Sequence, residues 1–304
     1  MPAHLQSRFR SIDGETQEKL RTRLHDFRRT ATGRPSDDDD DLQNHLHRRL
    51  DDNRRQVVPW LDAARPLADA SVLEIGCGTG SATVALAEQG ARVTAIDIDP
   101  RAIAVAEERC RMYGVEARFL PSNAAELDES LTGQRFDFIL FFASLEHMTH
   151  EERLAAMART WHLLPSGGLW GIVETPNRLW YYDHHTAHLN FFMWLSDELA
   201  ADYVRFSPRD DVRGQIAQAE DPKLALRRAG RGASFHEFDL TLGDSRCLDV
   251  VSSMPLFFRD RDPALRLQWR LSREREFERF LARLCPDLHL GFLQPTLYLL
   301  IRKP

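Results

Sequence analysis

Val72-Leu73-Glu74-Ile75-Gly76-Cys77-Gly78-Thr79-Gly80 is the stretch that decides how this chain is read. A short apolar run ends in three glycines at alternate positions. Such a turn bends sharply and lets the backbone approach a ligand with no Cβ in between. Residues 82–89 then read as a helix closed by Gly90, and the free N–H groups at a helix start favour an anionic or polar ligand group. The loop fits a nucleotide-like ligand; the plain alternative is a small-residue turn in an α/β core. A dinucleotide fingerprint places its third glycine three residues after the second. Here Ser81 holds that place and Gly80 comes one residue early. The turn therefore suits a carboxylate or sugar better than a pyrophosphate.

Outward from the turn, strand and helix patterns alternate. Residues 93–96 form a second strand ending in Asp97, and Pro100 opens a helix to about Tyr113, stopped by Gly114. Strands follow at 117–120 and 136–141, a helix at 151–164, a turn at 165–168 and a fifth strand at 169–173. Short links between alternating elements predict a doubly wound, mostly parallel sheet covered on both faces. Residues 235–240 are read as a sixth strand and 296–301 as the last. Residues 1–66 are polar and helical in pattern, a cap or lid ahead of a main domain at 67–304. Residues 176–234 break the rhythm as an insert after strand five. A helix over 42–64, bent at Pro59, closes the cap. Between the cap helices, Gly33, Pro35 and the run Ser36-Asp37-Asp38-Asp39-Asp40-Asp41 read as a self-repelling, solvated link.

Composition narrows the function classes. The 304 residues carry 40 Lys+Arg against 46 Asp+Glu, a net charge of −6. That balance argues against a general nucleic-acid binder. Cys77, Cys110, Cys247 and Cys285 are spaced for neither a zinc site nor a disulfide framework. The first residues carry no apolar core of a secretory signal, and no run of about 20 apolar residues offers a spanning helix. A cytoplasmic setting is expected.

Asp97, 17 residues after Gly80, ends the second strand where a carboxylate can accept both hydroxyls of a ribose. The rival role, capping the Pro100 helix, suits Asp99 better. Ile98 could cover an adenine face.

With Asp97 and Phe136-Asp137-Phe138-Ile139, the motif Leu73-Glu74-Ile75-Gly76-Cys77-Gly78-Thr79-Gly80 resembles the class I S-adenosylmethionine-dependent methyltransferases. Leu145-Glu146-His147-Met148 is similar to the small-molecule branch that includes ubiquinone-pathway O-methyltransferases. The resemblance covers about residues 67–175. It implies a Rossmann-like, seven-stranded α/β fold and S-adenosyl-L-methionine as cofactor, leaving S-adenosyl-L-homocysteine. Gly76, Gly78 and Gly80 would pass under the methionine part, Glu74 would place its amino group and Asp97 would take the ribose. Asn123 and Ala124 would meet the adenine edge, Asn123 standing where many relatives carry Asp. Phe142, with Ala143, would line the route from the cofactor sulfur to the acceptor.

The acceptor is read from the insert. Trp180, Tyr181, Tyr182, Phe191, Phe192 and Trp194 crowd residues 179–194. They serve either as core packing or as an aromatic roof over a planar or apolar acceptor. His184, His185 and His188 fall in the same stretch, and on a helix His184 and His188 would share a face. Three roles stay open for them: surface groups, a general base or hydrogen-bond donors to the acceptor, or metal ligands. No fourth ligand stands nearby, so no metal is assigned. Asp183 could hold a neighbouring imidazole in one tautomer. His147 is a second base candidate, Tyr182 a further catalytic group, and Glu146 and His188 substrate-binding groups. Ser196 is placed as an N-cap.

The expected activity is methyl transfer to an oxygen or nitrogen, or a carbon, of a small organic molecule. An RNA or protein methyltransferase using a charged helix near 266–283 is the first rival. A non-catalytic S-adenosylmethionine-binding protein is the second. The N-terminal cap either covers the pocket or makes a homodimer contact.

Overall fold

The computed structural model describes residues 2–32 and 39–304. Gly33, Pro35 and the first part of the aspartate run, through Asp38, lie outside them. The end of that run lies in a helix, Asp39–Gln43. Asp40 pairs with Arg48 at 2.6 Å, and Asp41 pairs with Arg28. The helical run continues to Ala64, through π-helical turns at Asn44–Arg48 and Asn53–Val57. Pro59 stands in the first turn of the last piece, Val58–Ala64.

The strands are β1 Ser71–Ile75, β2 Arg92–Asp97, β3 Arg118–Pro121, β4 Phe138–Phe142, β5 Leu169–Pro176, β6 Asp249–Ser253 and β7 Thr296–Arg302. They form one seven-stranded sheet in the order β3-β2-β1-β4-β5-β7-β6. The fold is the Rossmann-like, mostly parallel α/β architecture that the alternation predicts, with one antiparallel pair. The chain divides into two compact units, Met1–Phe142 with Leu163–Leu169, and Ala143–His162 with Trp170–Pro304. The sequence boundary at 66/67 is therefore not a boundary between these units.

In the first unit β1 pairs in parallel with β2 and with β4, and β2 with β3. All five residues of β4 and four of β1 are buried. That explains their continuous Val/Ile/Leu/Phe character. Asp137 accepts the Ser71 N–H at 2.9 Å and pairs with Arg65 at 3.0 Å, which anchors the start of β1. The strand order reverses at β1, and ligands in open α/β sheets bind outside the carboxyl ends of the strands at such a switch point. The N-terminal helices pack on the helices Ser81–Ala87 and Pro100–Met112. Arg54 grips Glu88 at 2.8 and 2.7 Å and lies over the Phe9 and Tyr113 rings.

In the second unit β6 and β7 run antiparallel, with a register break between Val250 and Ser252. Residues 235–240 are not the sixth strand but the body of a helix, Phe235–Thr241. Ser234 and Glu237 form a capping box, a local signal that overrides the apolar content of the run. Phe235 and Phe238 then sit one helical turn apart, and Phe238 is fully buried. The charged stretch near 266–283 is likewise not one helix. It lies within Pro263–Leu271 and Glu274–Leu284, preceded by Met254–Arg261. Ser196 does cap its helix, accepting the Leu199 N–H at 3.3 Å. No helix among the described residues is long and apolar enough to cross a membrane.

Replacing Ser234 with Ala is expected to destabilise the protein by about 1 kcal/mol, the usual worth of an N-cap. Denaturant titration followed by tryptophan fluorescence checks it, and an unchanged midpoint would show that the cap is not what holds this helix.

Candidate active site

The glycine turn is tied to β2 before any ligand is considered. The Gly76 and Cys77 N–H groups both donate to the Ile96 carbonyl, at 2.9 and 3.1 Å. Asp97 Oδ2 accepts from the Gly78 N–H at 2.8 Å, and its Oδ1 accepts from the Asp99 N–H at 2.9 Å. Asp99 takes the cap of Pro100–Met112 by accepting from the Arg101 N–H, which leaves Asp97 to the turn. Gly80 has φ +81°, and a Cβ there would come within 2.8 Å of the Ala106 Cβ. Both the backbone conformation and the close helix approach require glycine. A Cβ at Gly78 would meet nothing within 4 Å, so open space stands over the turn.

Ile98 exposes 71% of its surface, while Ala124 and Phe142 are buried. Asn123 Oδ1 accepts from the Ala125 N–H at 3.0 Å. Glu74 is fully buried. Its Oε2 accepts from Thr83 Oγ1 at 2.7 Å, whereas Oε1 has no hydrogen-bond partner. Burial, reinforced by the Asp97 charge, pushes its carboxyl up to about 8. An orphaned buried carboxylate oxygen is matched by a cationic group.

A second set of groups lies in the other unit. Leu145–His147 is a single 3-10 turn. Glu146 in it is fully buried, with Oε2 accepting from Thr175 Oγ1 at 3.1 Å and Oε1 bonded to nothing. Burial raises its pKa. His147 Nε2 and His185 Nε2 each stand 3.9 Å from that oxygen, and the two rings lie 5.3 Å apart. Buried Arg153 locks the turn in place. It donates to the carbonyls of Leu145, Gly232 and Arg231 at 2.9, 3.0 and 2.6 Å and pairs with Glu237 at 3.1 Å. Sequence reading passed over Arg153. Its only local signal is an arginine amid a helix face that also carries Ala156, Met157 and Thr160.

The insert histidines are arranged differently from the helical expectation. Tyr182 and Asn190 form an antiparallel bridge, so the segment is a turn, and His184 and His188 share no helix face. Buried Asp183 causes this: it accepts the His185, Thr186 and Ala187 N–H groups at 2.9, 2.9 and 2.6 Å. A side chain that satisfies three amides competes with helix formation. Asp183 accordingly orients backbone rather than an imidazole. Tyr182, His184 and His185 do come together, around a cavity of about 170 Å³ also lined by Glu174, Met193 and Tyr298.

The aromatic roof does not form as expected. Trp180 is buried with its ring 5.1 Å from Phe277, and Tyr181 packs on the same ring at 5.0 Å. Phe192 is fully buried in a cluster with Ala187, Ala200, Val204 and Ile216. Trp194 is half exposed and stacks near Phe191 at 4.8 Å. These rings pack onto Glu274–Leu284 and the insert's own core, whose apolar faces need covering.

The family described as "Methyltransferase domain" matches residues 72–168. Residues 72–168 are thus similar to methyltransferase domains. The chain is 35% identical over 121 residues to a ubiquinone biosynthesis O-methyltransferase of Pseudomonas aeruginosa (strain UCBPP-PA14), covering 40% of this chain and 50% of that protein. It is 39% identical over 124 residues to the namesake of Xylella fastidiosa (strain 9a5c), covering 40% and 48%. The chain spans about half the length of the curated relatives it matches. Among solved structures, magnesium protoporphyrin IX methyltransferase from Synechocystis PCC 6803 with bound SAM aligns at 24% identity and TM-score 0.39, covering 55% of this chain and 79% of that one. The matched segment contains the glycine turn, Asp97, Asn123, Glu146 and His147; His185 and the residues lining the cavity lie outside it.

Glu74 makes stability pH-dependent with a definite sign. Its folded pKa is about 8 against an ordinary 4.5. Between those values the folded state holds more protons than the unfolded one, so stability falls as pH rises through the window. Replacing Glu74 with Gln is expected to flatten that fall and to raise the melting temperature at pH 8 relative to wild type. Melts at pH 5 and pH 8 check it; parallel shifts of both proteins would overturn it.

Proposed function

We propose that this chain is an S-adenosylmethionine-dependent methyltransferase acting on an oxygen of a small organic molecule with an aromatic or apolar part. The observation that carries the reading is the pair of carboxylates, Glu74 and Asp97, set around the Gly76–Gly80 turn. A carboxylate at the end of β2 is the acceptor that ribose hydroxyls need. Both Asp97 oxygens already take one N–H each, which fixes the carboxylate and leaves each oxygen a further lone pair. The unbonded Oε1 of Glu74 fits an ammonium. Exposed Ile98 offers an apolar face for adenine, and the second lone pair of Asn123 Oδ1 is open to its amino group. When bound, the sulfonium supplies an activated methyl group whose transfer leaves a neutral thioether.

The residues that would serve the acceptor follow β4 and β5 in the chain. An oxygen nucleophile must lose its proton during transfer, and a positioned group assists that loss. Glu146, His147 and His185 provide a buried carboxylate with two imidazoles beside it. The cavity lined by Tyr182, His184, His185, Met193 and Tyr298, together with Glu174, Asn177, Asp183 and Thr296, offers mostly polar and aromatic groups, which suits a small acceptor that makes hydrogen bonds. The relatives' name as O-methyltransferases supports oxygen. The net charge of −6 favours a small molecule over RNA.

Incubating the full chain with methyl-labelled cofactor and a panel of phenols, hydroxy acids and amines tests the reading. Label is expected in an organic-extractable small molecule. Label found only in RNA or protein, or binding without any turnover, would overturn it. Two variants refine it. Asp97→Ala is expected to weaken cofactor binding at least tenfold by calorimetry without unfolding the chain. His185→Ala and His147→Ala are expected to lower turnover by about 10²–10⁴-fold, the range for lost proton-transfer assistance, with cofactor affinity unchanged; full turnover in both would remove the histidines from the reaction.

A further inference from the structure

Arg178 is left out of the ion pairs that its neighbours make. Arg153 pairs with Glu237 at 3.1 Å, and Arg227 and Arg231 share Asp197 at 2.7 and 3.2 Å. The second Glu237 oxygen accepts from the Ser234 N–H and hydroxyl at 3.0 and 2.9 Å. Arg178 stands close enough to bear on the charges of Arg153, Arg231 and Asp197. Yet its guanidinium makes no hydrogen bond and no ion pair among the described residues. Its backbone, by contrast, is fixed. The Arg178 N–H donates to the Ala233 carbonyl at 2.8 Å, and buried Asn177 before it donates to the Phe292 and Gln294 carbonyls at 2.7 and 2.8 Å. Gly232 packs on the same segment, where a Cβ would fall 2.8 Å from the Arg178 nitrogen. A clamped backbone therefore carries a partly buried guanidinium that satisfies nothing in the chain. Arginine is drawn into a protein chiefly where something pairs with it.

Arg178 lines a cleft of about 380 Å³ that lies wholly within the second unit, a size that suits a small ligand. His150 and His236 are its other basic groups, and Leu179, Trp194 and Leu240 supply apolar surface. Leu240 leaves 68% of its surface open and Trp194 51%. Trp194 Nε1 already donates to the Leu179 carbonyl at 3.3 Å, so the indole has its face, not its N–H, to offer. Glu237 is the one carboxylate in the lining, and it is taken by Arg153. The cleft thus sets an unpaired positive charge beside bare apolar surface. We infer that it binds a small carboxylate with a planar apolar body, Arg178 taking the carboxylate and Trp194 and Leu240 covering the body. A guanidinium matches a carboxylate in bidentate geometry, and a planar group packs well on an indole. A single unpaired guanidinium balances one negative charge, which favours a carboxylate over a phosphoryl group carrying nearly two. The site is separate from the cavity that holds Tyr182 and His184. Asn177 and Met193 line that cavity, whereas their chain neighbours Arg178 and Trp194 line this cleft, so these adjoining pairs form a partition between the two. None of the residues in the proposed methyl-transfer site belongs to it.

Calorimetry on the full chain tests the site, with cinnamate and naphthoate as probes. One equivalent of either is expected to bind. Cinnamamide, the same body without the charge, is expected to bind about 10–100-fold more weakly, the worth of hydrogen bonds to a charged group. Arg178→Gln is expected to weaken cinnamate by a similar factor, and Arg178→Lys, which keeps the charge but not the fork, to fall between. Trp194→Ala is expected to weaken cinnamate and cinnamamide alike, because it removes contact with the body only. His184→Ala, in the neighbouring cavity, is expected to bind cinnamate as wild type does. Thermal melts on each variant confirm folding, and the wild-type comparison of cinnamate with cinnamamide needs no variant. Binding of neither carboxylate, equal affinity for cinnamamide, unchanged affinity in Arg178→Gln, or loss of binding in His184→Ala would overturn the site. Tighter binding of phenyl phosphate than of cinnamate would overturn the carboxylate as its ligand. Cofactor affinity measured on the same protein separates the two readings. Cofactor binding without carboxylate binding removes this site and leaves the proposed function; carboxylate binding without cofactor binding does the reverse.

Discussion

A carboxylate shut away from water must find a proton, a donor or a cation, and two among the described residues are left half-answered. Glu74 and Glu146 are both fully buried. In each, a threonine hydroxyl satisfies one oxygen, Thr83 for the first and Thr175 for the second, while the other oxygen has no hydrogen-bond partner. Desolvation above all shifts both toward the protonated form. Such groups are expensive in a core with no function, because an apolar residue of similar volume would be at least as stable. Their positions follow the same logic. One stands on β1 just before the glycine turn, the other in the turn after β4, so each marks the carboxyl end of a strand.

Around these two charges, irregular backbone is held by side chains rather than by regular hydrogen bonding. Asp97 takes two amides, Asp183 takes three, and Arg153 satisfies three carbonyls and one carboxylate. Buried backbone polar groups must be paired somewhere, and here the pairing also sets where functional groups point. Arg153 ties the turn that carries Glu146 to residues 231 and 232. Thr186 links His185 to the Gly230 carbonyl.

The readings that held were those whose physics is local. The glycine spacing, the capping role of Asp99 and the cap at Ser196 depend on residues within one turn of each other. The readings that failed had a local rival of comparable strength. Residues 235–240 are apolar enough for a strand, yet the capping box of Ser234 and Glu237 made them a helix. His184 and His188 have helical spacing, yet Asp183 captured the amides that a helix would use. The aromatic crowding at 179–194 was visible from the start. Whether those rings would meet a ligand or Phe277 depended on a helix nearly a hundred residues later, to which no local pattern points.

What the sequence determined by itself is the parallel α/β frame and the glycine turn after its first strand. Both follow from the period of the apolar residues and from glycines at fixed spacing, which act over a few residues. What only the tertiary structure decided is which histidine joins which carboxylate. His147 and His185 reach Glu146 because the carbonyls of Arg228 and Gly230, one directly and one through Thr186, hold the far side of each ring. Hydrogen bonds between segments so distant along the chain form only when the chain has packed, so no spacing in the sequence could have announced them.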